Sequence, residues 1–216
     1  QVMDQSEIEE DRDLVAGRIP AIEVLKSERD INKIFLQEGL SGSKISEILG
    51  LAKKRNIQVH MVPKSKLDTL VDGMNHQGIV VAAAAFQYAE LDDLFAAAAL
   101  KKEDPFFIIL DGLEDPHNLG SIMRTADASG AHGIIIPKRR AVGLTATVAK
   151  ASTGAIEHVP VVRVTNLVQT INELKDRGVW LYGTDMKGQD YRQWDTKLPI
   201  AVVMGNEGKG ISRLVK

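Results

Sequence analysis

Phe106-Phe-Ile-Ile-Leu-Asp-Gly-Leu-Glu-Asp-Pro-His-Asn-Leu-Gly-Ser-Ile-Met-Arg-Thr-Ala-Asp-Ala-Ser129 runs from an unbroken apolar stretch, through two backbone breaks, into a helical pattern. Five apolar residues without polar alternation fit a strand buried on both faces, as in parallel sheets. Asp111-Gly112 and Asp115-Pro116 interrupt the chain after it. Asn118 is suited to cap the helix that follows. The pattern predicts that helix over Leu119 to Ser129, with Ile122 and Ala126 on one face and Arg124 on another.

Four more apolar runs follow: Gly133–Ile136, Val159–Val164, Val179–Tyr182 and Ile200–Met204. Strand-like runs separated by helical or loop segments predict an α/β domain, a parallel sheet covered on both faces. Ligands of such sheets bind at the carboxyl ends of the strands, near the point where the strand order reverses. That singles out three loops, Asp111–Asn118, Gly183–Gly188 and Gly205–Gly210.

A guanidinium at Arg124 can curl towards the helix start and bind a phosphate bidentately. Pro199 to Ser212 carries an apolar strand into a loop with glycines at 205, 208 and 210 and a carboxylate at Glu207. Such a loop lets a ligand approach the backbone closely. In the third loop, Gly183 and Thr184 can line a pocket. By spacing alone, plainer accounts stay open. Asn118 and Arg124 can be a helix cap and a surface arginine, Glu207 an exposed residue of a tight turn, and the third loop an ordinary connection.

Upstream, Ile19–Leu25, Ser43–Arg55 and Lys66–Val71 read as helices. Lys33–Leu36, Gln58–Val62 and Gly78–Phe86 read as strands. Together they make a separate small α/β unit over residues 14–86. Residues 87–104 are Ala-rich and then charged, and read as a helical linker. Residues 1–13 hold six acids and one base and read as a disordered leader.

Bulk composition sets limits. The 216 residues suffice for one large domain or two small ones. Cysteine is absent, which excludes disulfides and thiolate zinc sites. His60, His76, His117, His132 and His158 show no metal spacing, so no metal is expected. No apolar run is long enough to span a bilayer and no secretory signal opens the chain, which suggests a cytoplasmic protein with no membrane partner. Net charge is −2 overall, yet Leu14 to Ala85 carries ten Lys and Arg against seven Asp and Glu. Lys53-Lys54-Arg55 and Lys138-Arg139-Arg140 form basic clusters that can neutralise phosphates or lie solvated on a surface. The dinucleotide fingerprint, a complete Walker A loop and a serine nucleophile elbow are all absent.

Asp115 to Asp127, Lys150 to Pro160, and Val202 to Ser212, in that order, resemble the SpoU (TrmH) family of the SPOUT RNA methyltransferases, in particular its RlmB-like branch. The likeness covers residues 14–216, with residues 105–216 as the methyltransferase domain. It implies a C-terminal trefoil knot, an exception among folds, and a homodimer. It also implies S-adenosylmethionine as cofactor and ribosomal RNA as partner, with 2′-O-methylation of a guanosine in the large subunit. Residues 14–86 then correspond to the family's ribosomal-protein-like substrate-binding domain. Asn118, Arg124 and Glu207 take the catalytic places, and Thr184, Met204, Gly205, Asn206 and Gly210 the cofactor pocket. The family's third motif, which closes the knot, does not occur before Lys216, so the resemblance implies a natural chain that runs further. The opening Gln1 likewise suggests trimming. A transfer-RNA enzyme of the same family, a resistance methyltransferase acting at another ribosomal site, and a non-catalytic ribosome-assembly protein are the alternatives.

Overall fold

The computed structural model describes residues 13–139, 141–184 and 198–205. The acidic leader lies outside them except for Asp13. Two compact units are present. The first comprises residues 1–87 with 143–147, and the second residues 88–142 with 148–216.

In the first unit, β1 (Leu14–Ala16), β2 (Ile31–Gln37), β3 (Val59–Val62) and β4 (Ile79–Ala83) form a sheet in the order β1-β4-β2-β3. The β2–β3 pair is parallel and the other two pairs are antiparallel. Successive residues of a strand face opposite sides, and the sequence is apolar on both. Ile34, Leu36, Val81 and Ala83 join Ala21 and Leu25 of α1 (Arg18–Lys26) and Ile45, Ile48 and Ala52 of α2 (Ser43–Lys54). Phe35, Val80 and Ala82 join Leu67 and Leu70 of α3 (Lys64–Leu70) on the other face. The result is a three-layer α/β unit. β1 carries too few residues to stand out in the sequence pattern, and its place comes from pairing with β4.

In the second unit, β5 (Phe106–Asp111), β6 (Gly133–Pro137), β7 (Val161–Val164), β8 (Trp180–Thr184) and β9 (Ile200–Gly205) form one sheet in the order β7-β6-β5-β9-β8. Every neighbouring pair is parallel. Phe107, Ile109, Ile135, Ala201 and Val203 face a layer made by α4 (Leu91–Leu100) and α7 (Leu167–Asp176). α5 (Pro116–Ser129) packs against β6 and a short 3-10 turn at Ala155–Glu157. α6 (Ala146–Ala151) precedes that turn.

The Ala-rich stretch read as a linker is therefore a helix of the second unit. Leu94 and Ala98 are buried, and Phe95 meets Phe107 edge-on with ring centroids 5.0 Å apart. Gly133 makes room for this helix, since a β-carbon there would fall 2.3 Å from Leu94 Cγ. Among the described residues no helix is long and apolar enough to cross a membrane.

Candidate active site at the carboxyl edge of the parallel sheet

The strand order reverses beside β5. The chain moves from β5 to β6 and β7 on one side, whereas β9 enters on the other, between β5 and β8. The carboxyl ends there are level: Leu110 pairs with Met204, Asp111 with Gly205, and Thr184 with Met204. The three loops singled out in the sequence thus leave the sheet side by side, at the place where open α/β sheets bind ligands. Met204 is half-buried at this edge and Gly205 is buried. Asn206, Glu207 and Gly210 lie outside the described residues.

The first of these loops leads into α5, whose start differs from the expectation. Asn118 does not cap the helix. Asp115 does, its Oδ1 accepting from the backbone N–H of His117 at 2.8 Å and of Asn118 at 3.3 Å. Pro116 opens the first turn, where its missing N–H costs nothing and its fixed φ is already helical. An Asp-Pro cap signal thus starts the helix before Asn118, which sits half-buried in the first turn. Gly130 ends the helix in the left-handed conformation, with φ 76°. The apolar face is Leu119, Met123 and Ala126; Ile122, expected on it, is only partly buried.

Arg124 is exposed and reaches back one turn, where its Nη2 donates to Ser121 Oγ at 3.4 Å, a long and weak bond. Asn118, Ser121 and Arg124 follow one another at intervals of three residues, neighbours along a helix surface. Ser121 was not singled out from the sequence. The three-residue spacing was the signal that could have found it.

Gly120 fixes how α5 sits. A β-carbon there would fall 2.5 Å from Ala151 Cβ, 2.8 Å from Ala151 C and 2.9 Å from Ser152 N. Ser152 is fully buried. Its hydroxyl donates to Ala149 O at 2.8 Å and accepts from Ile156 N–H at 3.3 Å. The Lys150–Pro160 segment therefore braces the helix that carries Arg124.

The first unit has its own polar concavity, about 350 Å³, lined by Arg18, Gln37, Lys64, Asp68, His76 and Gln77 among others. His76 Nδ1 accepts from Gly78 N–H at 2.9 Å, which leaves the ring proton on Nε2, 2.6 Å from Asp68 Oδ1. The His76 hydrogen bond first, and that of Lys64 second, hold the Asp68 carboxyl below its ordinary range. Of the basic clusters, Lys53-Lys54-Arg55 ends α2, and Arg55 donates to the carbonyls of Leu25 and Arg29, a structural use.

Residues 105–216 match the model of the SpoU rRNA Methylase family, and residues 14–89 match that of the RNA 2′-O ribose methyltransferase substrate-binding domain. The chain belongs to the SpoU (TrmH) family of RNA methyltransferases. A Bacillus subtilis relative, YacO, provisionally named a TrmH family tRNA/rRNA methyltransferase, is 58% identical over 94% of this chain and 82% of its own length. A relative from Staphylococcus saprophyticus with the same provisional family name is 52% identical over 94% of this chain and 82% of its own. Among solved structures, the SpoU methyltransferase AviRb from Streptomyces viridochromogenes, in complex with AdoMet, superposes with a TM-score of 0.50. It shares 24% identity over 92% of this chain and 74% of that one, a likeness of fold. The SpoU fold accounts for the α/β architecture and the separate N-terminal domain. The segment in which the family forms its knot lies outside the described residues.

Proposed function

We propose that this SpoU-family chain transfers a methyl group from S-adenosylmethionine to a ribose 2′-hydroxyl, with a guanosine of large-subunit ribosomal RNA as its substrate. The observation that carries the reading is the level ending of β5, β8 and β9, which starts both motif loops from adjacent strands. The site fits the cofactor. Met204 and Gly205 at the end of β9, next to Thr184, offer an apolar side chain and a residue without one at a strand-order reversal. Thr184, Met204, Gly205, Asn206 and Gly210 would hold it. Once bound, S-adenosylmethionine supplies a methyl carbon already activated by its sulfonium.

The protein's own residues then have to bring the ribose into line, an effect worth up to ~7–11 kcal/mol in favourable cases. Arg124 presents a planar guanidinium with donors and no acceptor, and so serves as a cation rather than a base. It grips an RNA phosphate and stabilises negative charge developing on O2′, and a phosphate oxygen can take the proton. Asn118 fixes the ribose, and Glu207 orients Arg124. The separate substrate-binding domain favours a large folded RNA such as ribosomal RNA, and ribosomal RNA puts the enzyme's work in the cytoplasm. A homodimer belongs to the same reading; Trp180 and Tyr182, 63% and 45% exposed on the edge strand β8, support it.

Mapping 2′-O-methyl marks in ribosomal and transfer RNA from cells with and without the gene tests this. The expected result is one ribosomal guanosine mark lost with the gene. A lost mark confined to transfer RNA would move the substrate, and no lost mark in either would overturn the reading.

A further inference from the structure

The polar concavity of the first unit has no part in the site on the second sheet. It lies where the first sheet gathers its loops. β1 and β2 are both antiparallel to β4, and β3 is parallel to β2, so β1, β2 and β3 run the same way and end at one edge. Gln37, the last residue of β2, pairs with Val62, the last of β3, and its N–H donates to Gly78 O at 2.8 Å. Arg18 opens α1 just after β1, and Lys64 opens α3 just after β3. Strand ends of this kind are where α/β sheets take ligands. The volume of about 350 Å³ falls within the range of small-ligand pockets, about 300–1,000 Å³.

The turn at residues 74–78 is held in place from two sides. Gln77 has φ 52°, a left-handed conformation that residues with a side chain rarely adopt. Such strain persists where the surroundings enforce it, and it clusters at ligand clamps. Arg18 N–H donates to Gln77 Oε1 at 2.9 Å, and Arg18 Nε donates to Gln77 O at 3.1 Å. On the other side His76 is buried and tied to Asp68 and to Gly78 N–H. Gly78 has no side chain, and Leu40 Cδ1 occupies the space that a β-carbon would take. Holding Arg18 by Nε leaves its two terminal nitrogens, which make no hydrogen bond among the described residues. Lys64 is paired with Asp68 at 2.9 Å, so among the described residues Arg18 is the lining cation left to meet an anion. Met74, Asn75 and Gln77 are exposed at the rim.

We propose that this concavity takes one unpaired nucleotide of the RNA substrate, with its base against Leu40 and Met74 and its phosphate on Arg18. The proposal rests on the reading of this chain as an enzyme that acts on a folded RNA. It deepens that reading by giving the substrate-binding domain a specific contact. A base has apolar faces and an edge of donors and acceptors. Leu40 and Met74 offer apolar surface, and the amides of Gln37 and Asn75 can meet either kind of group on the edge. A planar guanidinium takes two phosphate oxygens in parallel. A paired base cannot enter, because its faces are stacked and its edge is engaged. Loops and bulges, whose bases are splayed out, are where RNA is read in this way.

The test is RNA binding by the full-length protein and its Met74→Ala, Asn75→Ala and Arg18→Ala variants. The probes are a large-subunit ribosomal RNA fragment with unpaired loops, transfer RNA, and an RNA duplex with every base paired, each titrated over a range of KCl. On at least one looped RNA, Met74→Ala should weaken binding about tenfold. Asn75→Ala should weaken it about fivefold. Arg18→Ala should weaken it about tenfold and lower the slope of log K against log salt by about 0.7. Arg18→Lys should keep the slope and recover part of the affinity. Binding of the duplex should not change in any variant. The loss should appear in KM for RNA rather than in kcat, and affinity for S-adenosylmethionine should stay unchanged. Met74 and Asn75 are exposed, so their variants should melt as the wild type does. A loss confined to Arg18→Ala would reduce the concavity to a phosphate contact and overturn the proposal. Equal losses on looped and duplex RNA, or no loss in any variant, would overturn it as well. A wild-type protein that binds the looped RNAs and methylates neither sinks the methyltransfer reading, while the titration still decides the nucleotide pocket.

Discussion

Asp111 and Gly205 form the last rung of the parallel β5–β9 ladder, so the loop leading to Arg124 and the glycine-rich loop begin on adjacent strands. Neighbouring strands lie about 4.8 Å apart. The loop after Asp111 leads into the family segment that starts at Asp115, and Gly205 lies in the segment Val202 to Ser212, although 94 positions separate Asp111 from Gly205 in the sequence. That pairing starts the two segments from one edge of the sheet.

Arg124→Ala should lower methyl transfer by about a hundredfold or more, the usual loss when a charge-stabilising group is removed from a transition state. Affinity for S-adenosylmethionine should be retained, because Arg124 is exposed on α5 and its Nη2 reaches Ser121 of the same helix. Arg124→Lys should recover only part of the rate, because an ammonium cannot form the bidentate bond. Single-turnover kinetics and cofactor titration measure the two effects separately, and a full rate in Arg124→Ala would remove it from the chemistry.

Gly120→Ala should destabilise the protein even though alanine is the better helix former. The propensity gain is about 1 kcal/mol. Against it stand contacts of 2.5 Å with a side chain and 2.8–2.9 Å with backbone atoms of Ala151 and Ser152. Overpacking of this kind costs about 1–3 kcal/mol, and backbone cannot rotate away as a side-chain tip can. Denaturant unfolding should show a lower midpoint, and α5 should be less protected from hydrogen exchange.

Leu94→Ala tests whether α4 belongs to the second unit. Leu94 is fully buried in the core with Phe107, Ile109 and Ile135. Removing a buried leucine side chain costs about 2–5 kcal/mol. A solvated linker would lose almost nothing, so an unchanged melting temperature would refute the docked helix.

Stability should fall as the solution is acidified through the histidine range, and His132 should be one cause. Its ring is buried, and its Nδ1 accepts from Phe106 N–H at 3.0 Å. Nε2 stands 3.6 Å from Glu103 Oε1, too far for a hydrogen bond. Burial therefore outweighs the attraction of Glu103, and the imidazole is held below its ordinary value. Above the unfolded histidine pKa of about 6.5 both states are neutral, and the contribution is intact. Below it the unfolded chain takes up a proton that the folded one resists, so stability declines until the depressed folded value is passed. Protonating Nδ1 would also break the bond from Phe106. Thermal melts from pH 8 to pH 5 should show this loss, and His132→Asn should flatten the slope. An identical pH slope in the variant would clear His132.

Much of the architecture was legible because apolar runs report burial directly. All five strands of the second sheet were placed from Phe106, Gly133, Val159, Val179 and Ile200 onwards, and the structure moves their ends by at most two residues. The cap of α5 was misplaced because Asn118 and Asp115 are both good capping residues. Pro116, locked in a helix-compatible φ, decided for Asp115. The linker was misread for a related reason. Alanine and leucine in a short helix have the same composition whether or not a sheet lies beneath, and only the absent side chain at Gly133 shows where Leu94 goes.

The sequence by itself determined most of the strands and helices, though not β1, and where the chain breaks between them, since periodicity and turn residues are local properties. Strand order was decided only in the tertiary structure. Placing β9 between β5 and β8 sets Asp111 beside Gly205 and Met204 beside Thr184. Such pairing depends on hydrogen bonds between residues far apart in the chain, which no local pattern encodes.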